Sequence, residues 1–205
     1  MPAKRSTEKS PSTRYGVVVV GASWGGLEAL TTLVHGLPAA FSVPVVVIQH
    51  RGRDSQALLA DLLQDRTRLR VSEPDDKEPL LPGHVYVAPA DYHLLVDDGY
   101  LTLEMDAPVR HSRPSIDVTF TSAAATFGTR AIGVVLTGAN ADGARGLRSI
   151  ADNGGTAIVQ DPESAEMPVM PRAARLAVPE AKVLPLDRIA PHLRALVAAA
   201  EAKTA

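Results

Sequence analysis

The sequence predicts an α/β protein built on a doubly wound, mostly parallel, Rossmann-like sheet with an inserted antiparallel hairpin region. Three observations predict it. The aliphatic runs at residues 17–20, 43–48 and 131–136 lack polar alternation, as strands buried on both faces do. Each run stops at a glycine-rich or polar turn, and a helical apolar period follows each turn. Such βα alternation calls for parallel strands joined by crossovers.

The elements follow in order. Residues 1–14 carry Lys4, Arg5, Lys9 and Arg14 among Ser, Thr and Pro and read as a disordered tail ahead of one domain over 15–200. The first strand runs into Gly21-Ala-Ser23-Trp24-Gly25-Gly26, then a helix with Leu27, Leu30, Leu33, Val34 and Leu37 on its apolar pattern. The second strand ends at Gln49-His50-Arg51-Gly52. Asp54 or Ser55 then caps a helix bearing Leu58, Leu59, Leu62 and Leu63. Residues 70–72 form a short strand, and 75–83 are loop chemistry. Short strand-like runs follow at 84–88, 93–96 and 100–104, the last two joined by the hairpin signal Asp97-Asp98-Gly99. These three runs read as an antiparallel insertion.

Residues 112–115 start a helix whose buried stripe is Ile116, Phe120, Ala123, Ala124 and Phe127. After the strand at 131–137 and the turn at 138–143 comes a helix with Leu147, Ile150 and Ala151, closed by Asn153-Gly154-Gly155. A strand at 156–159, a proline-interrupted helix around 167–177, an edge strand at Val183-Leu184 and a helix over 189–200 complete the chain.

Composition narrows the function. At 205 residues and 45% hydrophobic content, one domain with a packed core is expected. A net charge of −2 predicts no general affinity for nucleic acid or membrane surfaces, so a substrate must be recognised by a local site. The absence of cysteine excludes disulfides, thiolate metal sites and cysteine nucleophiles, and it fits a reducing compartment. With neither a secretory apolar region nor an apolar run of about 20 residues, a cytoplasmic protein without membrane insertion is expected.

Candidate chemistry sits at strand ends. Gly21 and Gly25 flank Ser23 as G-x-S-x-G, the spacing of a nucleophile elbow. A following helix N-terminus favours a developing oxyanion. The competing reading is a glycine turn that packs a helix or cradles a phosphate. A serine hydroxyl needs a base, and the base needs a carboxylate to fix its tautomer. His50 and Asp142, each beyond a parallel strand, supply those types. Asp142 also fits a plain turn aspartate before Gly143. His93 and His111 compete for the base role, and Asp91, Asp117 and Asp161 for the acid. No H-x-x-x-H or H-E-x-x-H spacing supports a metal.

Several of these segments recur together in a known family. Gly21-Ala-Ser-x-Gly-Gly26, Gln49-His50, Leu81-Pro-Gly-His84 with Val85-Tyr-Val-Ala-Pro89, Arg113-Pro-Ser-Ile-Asp-Val118, Leu136-Thr-Gly138 with Asp142-Gly-Ala144, and Met170-Pro-Arg172 stand in family order over about residues 15–196. On them the chain resembles the catalytic domain of CheB-type protein-glutamate methylesterases, without a receiver domain. The resemblance implies Ser23 as nucleophile, His50 as general base and acid, and Asp142 as the group orienting His50. It implies hydrolysis of glutamate γ-methyl esters on a methylated chemoreceptor, with methanol released and no cofactor. It also implies receptor-glutamine deamidation in some members, and contacts with other chemosensory proteins.

By analogy, backbone N–H groups near Trp24 or Ala139 serve the oxyanion. Arg113 either binds substrate or is a surface residue at a helix start. The chain departs from the pattern at Trp24, where the family often has Thr. It departs again at Ala139-Asn140-Ala141, where the family has Met-Gly-Asn, and at Ser112, which replaces a histidine. The alternatives are a nucleotide- or phosphate-binding module and a non-catalytic signalling adaptor.

Overall fold

The computed structural model describes residues 15–52 and 58–202. Seven strands form one parallel sheet: β1 (Val17–Ala22), β2 (Val45–Gln49), β3 (Arg70–Ser72), β4 (His84–Val87), β7 (Ala131–Val135), β8 (Thr156–Gln160) and β9 (Lys182–Leu184). Their spatial order is β3-β4-β2-β1-β7-β8-β9, and every pairing is parallel. The other two strands, β5 (His93–Val96) and β6 (Leu101–Glu104), form a separate antiparallel hairpin.

Alternation along β1 divides the core. Val18, Val20 and Ala22 face a layer built by α1 (Gly26–His35), α2 (Leu58–Gln64) and α6 (Leu186–Glu201). Val17 and Val19 face α3 (Ile116–Phe127), α4 (Ala144–Asp152), α5 (Val169–Ala177) and the hairpin. Both faces of β1 are therefore buried, which is why its sequence shows no polar alternation.

Three expectations need correction. The run after Gly83 belongs to the parallel sheet, because β4 lies between β2 and β3 with Val85, Tyr86 and Val87 all fully buried. A four-residue run is too short to declare its partner, so the antiparallel insertion reduces to β5 and β6. The prolines near residue 170 begin α5 instead of interrupting it. Pro168 is the N-cap and Pro171 lies in the first turn, where N–H groups lack intrahelical acceptors. The last helix starts earlier than expected, at Leu186. The expected tail at 1–14 and the caps Asp54 and Ser55 lie outside the described residues.

The chain leaves β1 for β2 on one side and returns to β7 on the other. The C-terminal ends of β1 and β7 thus form the switch point at which open α/β sheets place their ligands.

Candidate active site

Ser23 is the first residue past β1. Its N–H donates to Thr137 O at 3.0 Å, and its carbonyl accepts from Gln49 Nε2 at 2.7 Å and Gly26 N at 2.9 Å. The turn is thereby tied to the ends of both neighbouring strands. Gly25, the N-cap of α1, has φ 72°, in the left-handed region that favours glycine. Gly21 is required by close approach, since a Cβ there would lie 2.4 Å from Ile116 Cγ2. The first turn of α3 therefore packs directly on the end of β1.

His50 follows β2, with its N–H donating to Ala22 O at 3.1 Å. Its Nε2 lies 2.8 Å from Asp142 Oδ2. Asp142 stands in the loop between β7 and α4 and is buried. The same Oδ2 accepts from Ile116 N at 2.7 Å. Its Oδ1 accepts from Ser115 Oγ at 3.1 Å and from Asp117 N and Gly143 N, each at 3.0 Å. Burial alone would raise this carboxyl's pKa. The hydrogen bonds from His50 and from the Asp117 and Ile116 N–H groups outweigh burial and hold it below the usual carboxylate range. A carboxylate fixed by the N-terminus of α3 is an orienting group for the imidazole it touches.

Ser23 and His50 line one cavity of about 500 Å³ together with Arg51, His111, Ser112, Arg113 and Asn140. Among the described residues Ser23 Oγ makes no hydrogen bond, so the hydroxyl and the imidazole share a wall without being hydrogen-bonded to one another. Side-chain contacts of this kind commonly tighten only when substrate binds.

The remaining candidates separate. His93 is buried and held by Ser115 N and Ala107 O, so it supports the start of α3. His35 contacts Arg66 O, and His84 stacks on Tyr86. His192 lies in α6, and burial lowers its pKa. His111 lines the same cavity. Arg113 donates to Asp91 and to the carbonyls of Met105 and Asp106, so most of its guanidinium braces the cavity rim. Trp24 is 64% exposed, and its indole N–H donates to Glu166 at 3.0 Å. Thr137 Oγ1 donates to Trp24 O at 2.9 Å, which sets the Trp24 turn beside the loop carrying Ala139.

Sequence reasoning assigned no role to Ser115, Gln49, Glu166 or Asn140. Ser115 carried a signal as the N-cap of α3. The other three act across chain separations that no local pattern reports.

A phosphate cradle is poorly served here, because the cavity beside the glycine turn is lined by Glu28 and Glu166. Ile116 fills the space over Gly21, and the Glu166 carboxylate would meet a Cβ at Gly25 at 2.5 Å. An acidic group at that turn opposes an anion. No group of residues suited to hold a metal occurs among the described residues, and no described helix is long and apolar enough to cross a membrane.

Comparison with known proteins gives a consistent family. Residues 18–193 match the CheB methylesterase family. A Leptospira interrogans protein, provisionally named protein-glutamate methylesterase/protein-glutamine glutaminase, is 43% identical over 86% of this chain and 92% of its own length. The Myxococcus xanthus protein-glutamate methylesterase FrzG is 41% identical over 92% of this chain, which spans 57% of that protein. The crystal structure of the Thermotoga maritima CheB methylesterase catalytic domain superposes with a TM-score of 0.86 at 33% identity, covering 89% of this chain and 99% of that one. This chain belongs to the CheB methylesterase family.

Proposed function

We infer that the chain is a serine hydrolase that removes methyl esters from glutamate side chains of a chemoreceptor and releases methanol. The observation that carries this reading is the buried Asp142 carboxylate on His50 Nε2 at 2.8 Å, with His50 and Ser23 opening into one cavity. The names borne by relatives supply the substrate class.

Ser23 Oγ attacks the ester carbonyl carbon while its proton passes to His50 Nδ1. The tetrahedral intermediate collapses by breaking the bond to the methoxy oxygen, which takes the proton from Nδ1 and leaves as methanol. Water then attacks the acyl-serine, giving a proton to Nδ1. Ser23 Oγ departs and recovers that proton, leaving the glutamate carboxyl. The backbone N–H groups of Trp24 and Ala139 are the oxyanion donors in this reading. Neither has an acceptor among the described residues. A glutamine side chain would follow the same acyl route with ammonia as leaving group. The substrate is the cytoplasmic part of a methylated receptor, and other chemosensory proteins are the expected partners.

The test is methanol release from methylated receptor membranes. Ser23→Ala is expected to lower the rate by about 10³-fold or more with the unfolding midpoint unchanged. Equal rates for the two proteins would exclude Ser23 as nucleophile.

A further inference from the structure

The imidazole of His50 is held on both edges. Asp142, ionised, can only accept, so His50 donates from Nε2. Asn140 Nδ2 lies 3.3 Å from that Nδ1. The amide cannot be turned the other way, because Asn140 Oδ1 accepts from Asp142 N at 3.0 Å. An amide N–H therefore points at Nδ1, and a donor there calls for a lone pair on that nitrogen.

We propose that Asn140 is a positioning residue of the active site, whose side-chain amide holds the His50 imidazole in its neutral, base-competent form until Ser23 takes over the Nδ1 lone pair. The inference rests on the esterase reading above for its role, although the contact itself does not. Asn140 and Ser23 compete for one acceptor on one cavity wall, so the amide must swing away as the serine proton transfers. Once Nδ1 is protonated, two donors face each other, and the amide is driven off towards the cavity.

Other charged and titratable groups stand near this point, and among the described residues the buried Nε and Nη1 of Arg51 make no hydrogen bond. Arg51, beside His50, spends its Nη2 on Glu73 and on Ala88 O. Arg113 is paired with Asp91, and both line the cavity with His111. Asp117 lies behind Asp142, with Arg145 Nε at 3.6 Å.

Two substitutions separate this role from a purely local one. Asn140→Asp keeps the size and the acceptor for Asp142 N but turns the donor at Nδ1 into an acceptor. Asn140→Ala removes both contacts. If Asn140 only shapes the turn, Asp substitutes well and Ala poorly. If it serves the base, the order reverses, because a carboxylate on each edge favours a doubly protonated ring. Expected values of kcat/KM for a methyl ester peptide are about 3- to 10-fold below wild type for Asn140→Ala and roughly 10- to 100-fold below it for Asn140→Asp. The acid limb of the rate profile is expected to move to higher pH in both variants, further in Asn140→Asp, and a limb left in place by Asn140→Ala would overturn the proposal.

Nitrogen-15 NMR of the His50 ring supplies a reading that needs no turnover. An unprotonated Nδ1 is expected at neutral pH in the wild type, and protons on both nitrogens in Asn140→Asp. A fully active Asn140→Asp with an unchanged ring spectrum would overturn the proposal. If no protein in the series hydrolysed the ester, the ring spectra would still decide the Asn140 contact, and the failure would belong to the esterase reading.

Discussion

At the scale of single residues, the site depends on side chains that are missing as much as on those present. Gly21 allows Ile116 to rest on the end of β1, and the N–H of that same Ile116 donates to Asp142 at 2.7 Å. Gly21→Ala would push Ile116 away by overpacking. It is expected to destabilise the fold by about 1–3 kcal/mol, read from the urea midpoint, and to lower esterase activity further than the stability loss explains. Ser23, His50 and Asp142 stood out in the sequence as candidates past strand ends, and the family resemblance singled them out from rivals such as His111 and Asp91. The three donors from the start of α3 did not stand out, since Ser115, Ile116 and Asp117 lie more than twenty residues away from Asp142.

At the scale of elements, α3 and α4 cap one another. Asp142, just before α4, accepts from the first N–H groups of α3. Asp117, in the first turn of α3, accepts from Gly143 N at 3.0 Å and Gly146 N at 2.7 Å, at the start of α4. The sequence marks Asp117 as a helix-start acid, but its carboxyl serves the neighbouring helix rather than its own. Burial pushes the Asp117 carboxyl above the ordinary range. The Gly146 N–H offsets this only in part, and the charge of Asp142 adds to the rise. The acceptor therefore matters more than the charge. Asp117→Asn is expected to stay within about 0.5 kcal/mol of wild type, and Asp117→Ala to lose about 1–2 kcal/mol, both measured by chemical denaturation.

At the scale of the whole molecule, the sheet order brings distant strand ends to one rim, and pH couples that rim to global stability. The Asp142 pKa is lower in the native state than its ordinary value of 3.8. Its contribution is thus fully present above that pH and is lost as pH falls through the native value. Asp117 has the opposite sign, for its raised pKa makes the charged form a cost as pH rises through 3.8. Acid unfolding should therefore steepen below pH 3.8 in the wild type. Asp142→Asn, less stable at neutral pH, should show a weaker dependence over that same range. Denaturant midpoints measured from neutral pH down to about pH 2 test this.

The sequence by itself determined the parallel sheet, most element positions and the residue types at three strand ends. Those features are local: buried-strand composition, turn chemistry and helical period repeat within a few residues. Only the tertiary structure decided that β4 joins the parallel sheet and that Arg113 braces a rim. It alone decided that the Asn140 amide faces His50 Nδ1. Each of these depends on which distant segment arrives beside the residue, and a pattern read along the chain carries no record of what will pack across it.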